Sequence, residues 1–543
     1  MQLSTAPARE HWSSSVWPQL LPELAERIVG FMDRNDLAAT FRQVNKATAE
    51  HFSSPQHITI YITEPVPPHT FTAHWLAPGA TRGLTLERRW KLVRLVAASG
   101  LLPNLEVALQ AAGFTRAVAE AFNAAAGAGQ LQTCQWLWEY SRSHTEDFHD
   151  AVRADDALKL AAGGGHRHVC EWLLALERHK DALHVPVAIV AATGGHADLA
   201  EWLLQKCTPR AEQSAAFLRA VAHGCDLLVL QRAWLRFGPA SLDMNAKEAL
   251  LAHAACSPTP DWAAKVEWLD AQGCSLGAAG AGGAASTYET AASLPDDGEA
   301  LARLTWLRRR GYEINEAAVL AAACNGNTAA LRYLLAEMPT SEVTRYDTAA
   351  CGLVAAQAGH LAALQALHAA GSAISVTKCA IAAASGGHLH VLTWLLEGQW
   401  GMLVERLMME EALIVAAAES GSVELLAWLR QHGCPWDCEV LLAAVKSGCE
   451  AALEWLVQQG CPMEVSEAAG VGIVWWVRED GFPYTVACRD GDLAMARCLR
   501  RLGVPWGPAG RVIREVAEWT TSRPVASLPV VRWLLQEGYP VDH

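Results

Sequence analysis

The sequence predicts an all-α fold, a helical-hairpin solenoid with a small helical segment at its N-terminus. Three observations predict it. The string Ala-Ala-x-x-Gly-His begins at Ala161, Ala191, Ala355 and Ala383, and relatives without the histidine begin at Ala125, Ala322 and Ala417. Seven residues past the glycine stands an aromatic residue, Trp136, Trp172, Trp202, Tyr333, Trp394, Trp428 or Trp455. Five residues past that position comes a second glycine, as at Gly273, Gly311, Gly433, Gly460, Gly503 and Gly538. With the first glycine as ruler, successive marks lie 30 (165 to 195), 33 (326 to 359), 28 (359 to 387), 34 (387 to 421) and 27 (421 to 448) residues apart. A period of this size is the signature of a repeat array, and about fourteen units fill residues 88–543.

One unit shows why each element forms. Glu411 to Glu419 (EALIVAAAE) is a short helix whose small side chains allow close packing, and Ser420-Gly421 breaks it. From Val423 to His432 a second helix places Leu425, Leu426, Trp428 and Leu429 on one face at helical spacing. Gly433 then supplies the left-handed residue that ends a helix, and Pro435 prevents a restart. Two such helices cannot bury their own apolar face, so neighbours must stack to bury it.

Bulk composition agrees with a large core. Half of the 543 residues are hydrophobic and 18% are charged, which argues against bulk disorder. A net charge of −14 without a basic block repels a polyanion on average, so no nucleic-acid partner is expected. No apolar run approaches the ~18 residues of a membrane span, so no membrane association is expected. The first residues lack the apolar stretch of a secretory signal, and fifteen cysteines then point to reduced thiols in a cytoplasmic or nuclear protein. A monomer is expected.

The repeated string resembles the ankyrin repeat. GHLHVLTWLLEG (387–398) and GHADLAEWLLQK (195–206) fit that family's second helix, which follows Gly-His. The resemblance covers about 450 residues. It departs in two ways. No unit has the Thr-Pro-Leu-His tetrapeptide of the family, and several units are shorter than its roughly 33 residues. Between Asp437 and Ala444 the β-hairpin finger is largely missing. Tetratricopeptide arrays fit worse, because their own signature is absent.

The 22 tryptophans admit two readings, core wedges between stacked helices or a ligand-binding array. A base-stacking array would need basic neighbours, so the expectation is structural, with Trp428→Ala costing on the order of 3–5 kcal/mol locally. Cys434-x3-Cys438 with Cys449 and Cys461 has a spacing that tetrahedral zinc sites use. Yet Cys274, Cys434 and Cys461 each follow a helix-ending glycine, where a small hydrophobe is wanted. Equivalent positions in stacked units lie roughly 8–10 Å apart, beyond disulfide reach. His166, His196, His360 and His388 occupy the Gly-His slot of the repeat. No metal, cofactor or catalytic residue is expected. No Gly-x-Ser-x-Gly elbow, Walker loop or His-Glu-x-x-His occurs, so the chain does not read as an enzyme. GAAGAGGAAS (277–286) reads as part of a flexible insertion near 275–298.

The N-terminus does not repeat. Residues 1–16 read as a tail, 17–56 as a small helical domain and 57–87 as a Pro-bearing linker. Pro22 suits the first position of a helix and Glu23 its positive end. Leu24, Ile28 and Met32 form an i, i+4, i+8 stripe, and Leu37, Phe41 and Val44 mark a second amphipathic helix. This stretch resembles the F-box at Leu21, Pro22, Glu23, Leu24, Ile28, Met32, Asp36, Leu37 and Val44, although Thr48 stands near the place of a commonly found tryptophan. The alternative is a helical pair that caps the solenoid.

The F-box resemblance implies the substrate-recognition subunit of a cullin-RING ubiquitin ligase. Leu21, Pro22, Leu24, Ile28 and Leu37 would dock a Skp-type adaptor, and the array would hold an unidentified target protein. The competing reading is an ankyrin-repeat scaffold or inhibitor with no ubiquitin role. Trp436, Tyr484 and Trp506, which follow helix-ending glycines, are the expected target-binding residues.

Overall fold

In a computed structural model, residues 22–44, 46–144, 154–176, 184–205, 209–238, 242–274, 287–312, 314, 316–338, 348–397, 410–462, 481–520 and 528–540 are described. Leu21, the 1–16 tail and most of the Gly-Ala insertion lie outside them. From Leu86 to Gln536 the described helices pair in order as fourteen hairpins. The first helix of each hairpin packs against the first helix of the next along the whole array. These inner helices are Ala-rich, and Ala161, Ala191, Ala355, Ala383 and Ala417 are fully buried. Small side chains let the inner helices approach more closely than the bulkier second helices, and that difference curves the stack.

The hairpin chosen above forms as read. Its helices are Glu411–Glu419 and Val423–Gln431, and the Ser422 side chain caps the second by accepting from the Leu425 amide. Gly433 has φ +83°, the left-handed conformation that a β-carbon disfavours, and it releases the chain into the connector. Leu425, Leu426 and Leu429 are fully buried, but Trp428 is only half-buried. Trp136, Trp172, Trp202, Trp394 and Trp455 share that position, each packed on the core along one edge. These tryptophans are therefore wedges at the seam between second helices rather than core residues. Trp138 meets Trp172 edge-on at 6.2 Å, Trp234 meets Trp268 at 5.6 Å, and the Arg167 guanidinium lies 4.8 Å above Trp202.

Two further readings are corrected. The insertion ends earlier than position 298, because Thr287–Ala292 is an inner helix paired with Asp297–Arg309. Residues 57–87 are not a free linker either. They include the helix Pro68–Trp75, and Val66 and Phe71 are buried in the array's core. The fully buried Asn35 ties this stretch to the N-terminal helices. Its side-chain amide donates to the carbonyls of Tyr61 (2.8 Å) and Pro65 (3.0 Å), and its carbonyl accepts from the Tyr61 amide (2.8 Å). Asn104 of the first hairpin donates to the Val66 carbonyl at 2.8 Å and completes the connection.

Candidate interaction surfaces

The N-terminal helices Pro22–Val29, Arg34–Ala39 and Lys46–His51 enclose a very small core of Val29, Leu37 and Phe52 with Phe41 at its edge. Leu24 is 46% exposed and Ile28 45%, one turn apart on one side of the helix, Phe31 in the turn that follows is 87% exposed, and Val44 is also exposed. Among the described residues this is an apolar stripe exposed beside a very small core, the kind of patch that marks interaction sites. Leu37 does not belong to it. Only 5% exposed, it packs against Val29 and Phe52, so it holds the segment together and is not available to an adaptor.

The expected target-binding residues do not form one surface. Tyr484 is fully buried, with its hydroxyl donating to the Val504 carbonyl at 2.8 Å, and burial pushes its pKa up. The reason is local. Gly481 is the N-cap of the helix Phe482–Arg489 and Pro483 sits in its first turn, so Tyr484 lies inside a first helix and faces the core. Trp506 is half-buried, with its ring 4.3 Å from Tyr484, 5.4 Å from Tyr539 and 4.6 Å from the Arg500 guanidinium. Trp436 is half-buried in a different connector, beneath Arg430 at 3.8 Å and 6.1 Å from Trp455. Both tryptophans pin connectors to helices, which leaves only their outer edges for a partner.

Polar side chains instead staple several hairpins to their neighbours. The last carbonyls of a helix have no partner within it, and at these hairpins the next one supplies it. Gln130 donates to the Ala98 carbonyl (3.1 Å), Arg303 to Ala255 (2.6 Å) and Asn327 to Ala292 (2.8 Å) and Leu294 (2.7 Å). Histidines of the Gly-His slot do the same work by packing. His166 covers Gly129, His196 covers Gly165, His360 covers Gly326 and His388 covers Gly359, so closely that a β-carbon on any of these glycines would collide with the ring. Burial lowers the pKa of His166 and His388, which keeps the rings neutral under their neighbours.

Lys265 is, with Arg303, a fully buried cation of this kind. Its Nζ donates to the carbonyls of Ala222 (2.8 Å) and Cys225 (2.7 Å) and to Ser257 Oγ (2.6 Å), and burial pushes its pKa down to about 8. A hydroxyl beside a lysine of lowered pKa is the pairing that some hydrolases use. Here both residues are fully enclosed, so no substrate can reach Ser257, and the lysine serves the helix end.

The cysteines behave as small hydrophobes. The described cysteines are free thiols; of these Cys324 is exposed, Cys256 half-buried and the others buried. Cys274 and Cys434 have no exposure, and Cys434 Sγ points to the Glu410 carbonyl at 3.8 Å. Burial pushes the Cys434 thiol up to about 11 and Cys134, Cys170, Cys461, Cys488 and Cys498 up to about 12. A thiolate is both the metal ligand and the nucleophile, so this shift opposes both roles. Glu450, Glu454 and Cys498 converge closely enough to suggest a cation site, but Arg501 bonds both carboxylates, at 2.9 Å and 2.5 Å.

These thiols set an alkaline limit. Each folded pKa stands above the unfolded value near 9, so the unfolded chain releases protons first as pH rises. Stability is complete below pH 9 and is lost progressively toward pH 11–12. Lys265 acts oppositely between about pH 8 and 10.5, but one lysine is outweighed by the set of thiols. A melting-temperature series from pH 7.5 to 10.5 should fall above pH 9, and alkylation at pH 8 followed by mass spectrometry should mark Cys324 before any buried cysteine. Uniform labelling at pH 8 would contradict the packing.

No protein-family model matches the chain, and no curated protein matches it. Solved structures do. The pentatricopeptide repeat protein PPR10 from maize aligns over 98% of this chain and 94% of its own, at 11% identity and a TM-score of 0.21. PPR10 in complex with an 18-nucleotide psaJ RNA element, and a triple Cys→Ser variant in the same complex, each align over 99% and 93% at 10% identity and a TM-score of 0.25. The chain is an all-α helical-repeat solenoid. The expectation of no nucleic-acid partner is withdrawn, because two of these similar structures hold RNA. That exclusion rested on net charge and on the lack of a basic block along the sequence, and neither describes a local surface of the folded chain. A likeness this distant carries no argument about what this chain itself binds. No described helix is long and apolar enough to cross a membrane.

Proposed function

We propose that this helical-repeat scaffold binds proteins and acts as the substrate-recognition subunit of a cullin-RING ubiquitin ligase. The observation that carries the reading is the exposed stripe of Leu24, Ile28 and Phe31 on a segment fixed to the array through Asn35 and Asn104. An adaptor would cover the stripe, and the array would hold the target. The chain makes and breaks no bond in this scheme. It contributes placement, which raises the effective concentration of target at the transfer site. The F-box and ankyrin resemblances of the sequence support the reading, with Leu24 and Ile28 as adaptor contacts and Leu37 as their internal support.

Co-expression with a Skp-type adaptor tests it. The native chain should co-purify with the adaptor, and Leu24→Ala with Ile28→Ala should abolish this while leaving the array's helicity intact. Absence of binding by the native chain, or binding unaffected by the double change, would leave a repeat scaffold or inhibitor with no ubiquitin role. Salt-sensitive recovery of RNA in place of protein would overturn protein binding itself.

A further inference from the structure

The first hairpin, Leu86–Ser99 with Leu102–Ala112, meets the far end of the array. Arg89 is 1% exposed and Asp492 2%, and they pair across 403 residues of sequence. Arg89 donates to both Asp492 oxygens (3.0 and 2.5 Å), to the Ala112 carbonyl of its own hairpin (2.9 Å) and to the Gly448 carbonyl of the twelfth hairpin (3.0 Å). Asp492 also caps the second helix of the thirteenth hairpin, accepting from the Met495 amide at 3.0 Å. Backbone bonds line both sides of the pair. The Thr115 amide donates to Gly491 (3.0 Å), the Ala494 amide to Gly113 (2.9 Å) and the Ala451 amide to Arg82 (3.0 Å). The surfaces are fitted as well as bonded. A β-carbon at Gly113 would lie 2.7 Å from that of Ala494, and one at Gly448 would lie 2.7 Å from that of Leu86.

Arg89 thus does for the twelfth hairpin's turn what Lys265 and Arg303 do between consecutive hairpins. The difference is topological. The first and thirteenth hairpins each keep a sequential neighbour, so the seam between them can part without stripping any hairpin of its place in the stack. We propose that the array is a latched ring: the Arg89–Asp492 pair holds the first hairpin on the twelfth and thirteenth, and its release opens the ring while the hairpins stay folded. The N-terminal segment is fixed to the first hairpin through Asn104 and Val66. Opening therefore moves the exposed Leu24–Ile28–Phe31 stripe relative to the C-terminal hairpins. A packed seam that is either engaged or released is a bistable element of the kind that couples distant surfaces.

Amide hydrogen exchange on the full chain tests the latch. In the native protein the hydrogen-bonded Thr115, Ala451 and Ala494 amides should be protected. In Arg89→Ala they should exchange at least 100-fold faster while amides inside the fourth hairpin, such as Leu203 and Leu204, do not change. Ala494→Trp keeps both charges and wedges the seam at Gly113, and it should reproduce this local loss. Seam amides that stay protected in both variants would show that this contact is no latch. Protection lost equally in all hairpins, or failure of both variants to fold, would show that opening and unfolding are one event, which also overturns the proposal.

Discussion

Gly224→Ala is expected to separate the fourth and fifth hairpins. A β-carbon at Gly224 would collide with the carbonyl oxygens of Ala192 and Thr193 and lie 2.7 Å from the Thr193 carbonyl carbon. These are backbone atoms in the helix His184–Thr193, so no side chain can swing aside to relieve the contact. The neighbourhood is equally unyielding from the other direction, since a β-carbon at Gly195 would stand 2.9 Å from the Gly224 carbonyl. Overpacking of this kind costs on the order of 3 kcal/mol. In a solenoid the loss falls on one interface. Hydrogen exchange should therefore speed up in residues 184–237 while hairpins beyond Glu316 keep native protection. A variant as stable as the native chain would mean that these inner helices do not approach so closely.

Leucine, not tryptophan, should carry the larger share of each hairpin's stability. Leu426→Ala removes a fully buried side chain packed within the core and is expected to cost about 2–5 kcal/mol. Trp428→Ala, at the half-exposed seam where it stacks on His432 at 4.0 Å, is expected to cost roughly 1–2 kcal/mol. The order is the reverse of what residue size suggests. Urea titration of both variants, followed by exchange within residues 411–458, measures it. A tryptophan variant less stable than the leucine variant would restore the core-wedge reading.

That reversal shows where sequence reasoning runs out. The hairpins, their turns and their helix-ending glycines were legible because each rests on a local signal: helical periodicity, a small-residue run and a glycine at a position of positive φ such as Gly433. Periodicity assigns a residue to a broad face, not to the middle or edge of it, and Trp428 sits at the edge. Tyr484 was misplaced for a correctable reason. Pro483 announces a helix's first turn and could have put its neighbour inside that helix. The stripe of Leu24 and Ile28 was legible as amphipathic, but Leu37 shows that pattern alone does not tell an outward apolar residue from one that closes a three-residue core. The ring closure left a weaker trace. Arg89 stands on the same helical face as Leu86, Val93, Val96 and Ala97, all buried, and an arginine on an apolar face must have a partner somewhere. Nothing local says that the partner is Asp492.

Closure of the array is the claim on which the spatial account rests, because it fixes the N-terminal stripe relative to the C-terminal hairpins. Small-angle scattering of the native full-length chain tests it most directly. The account predicts a pair-distance distribution that falls to zero at the maximum dimension of the closed ring, with the first hairpin against the thirteenth. A distribution extending to the length of an open fourteen-hairpin stack would contradict it.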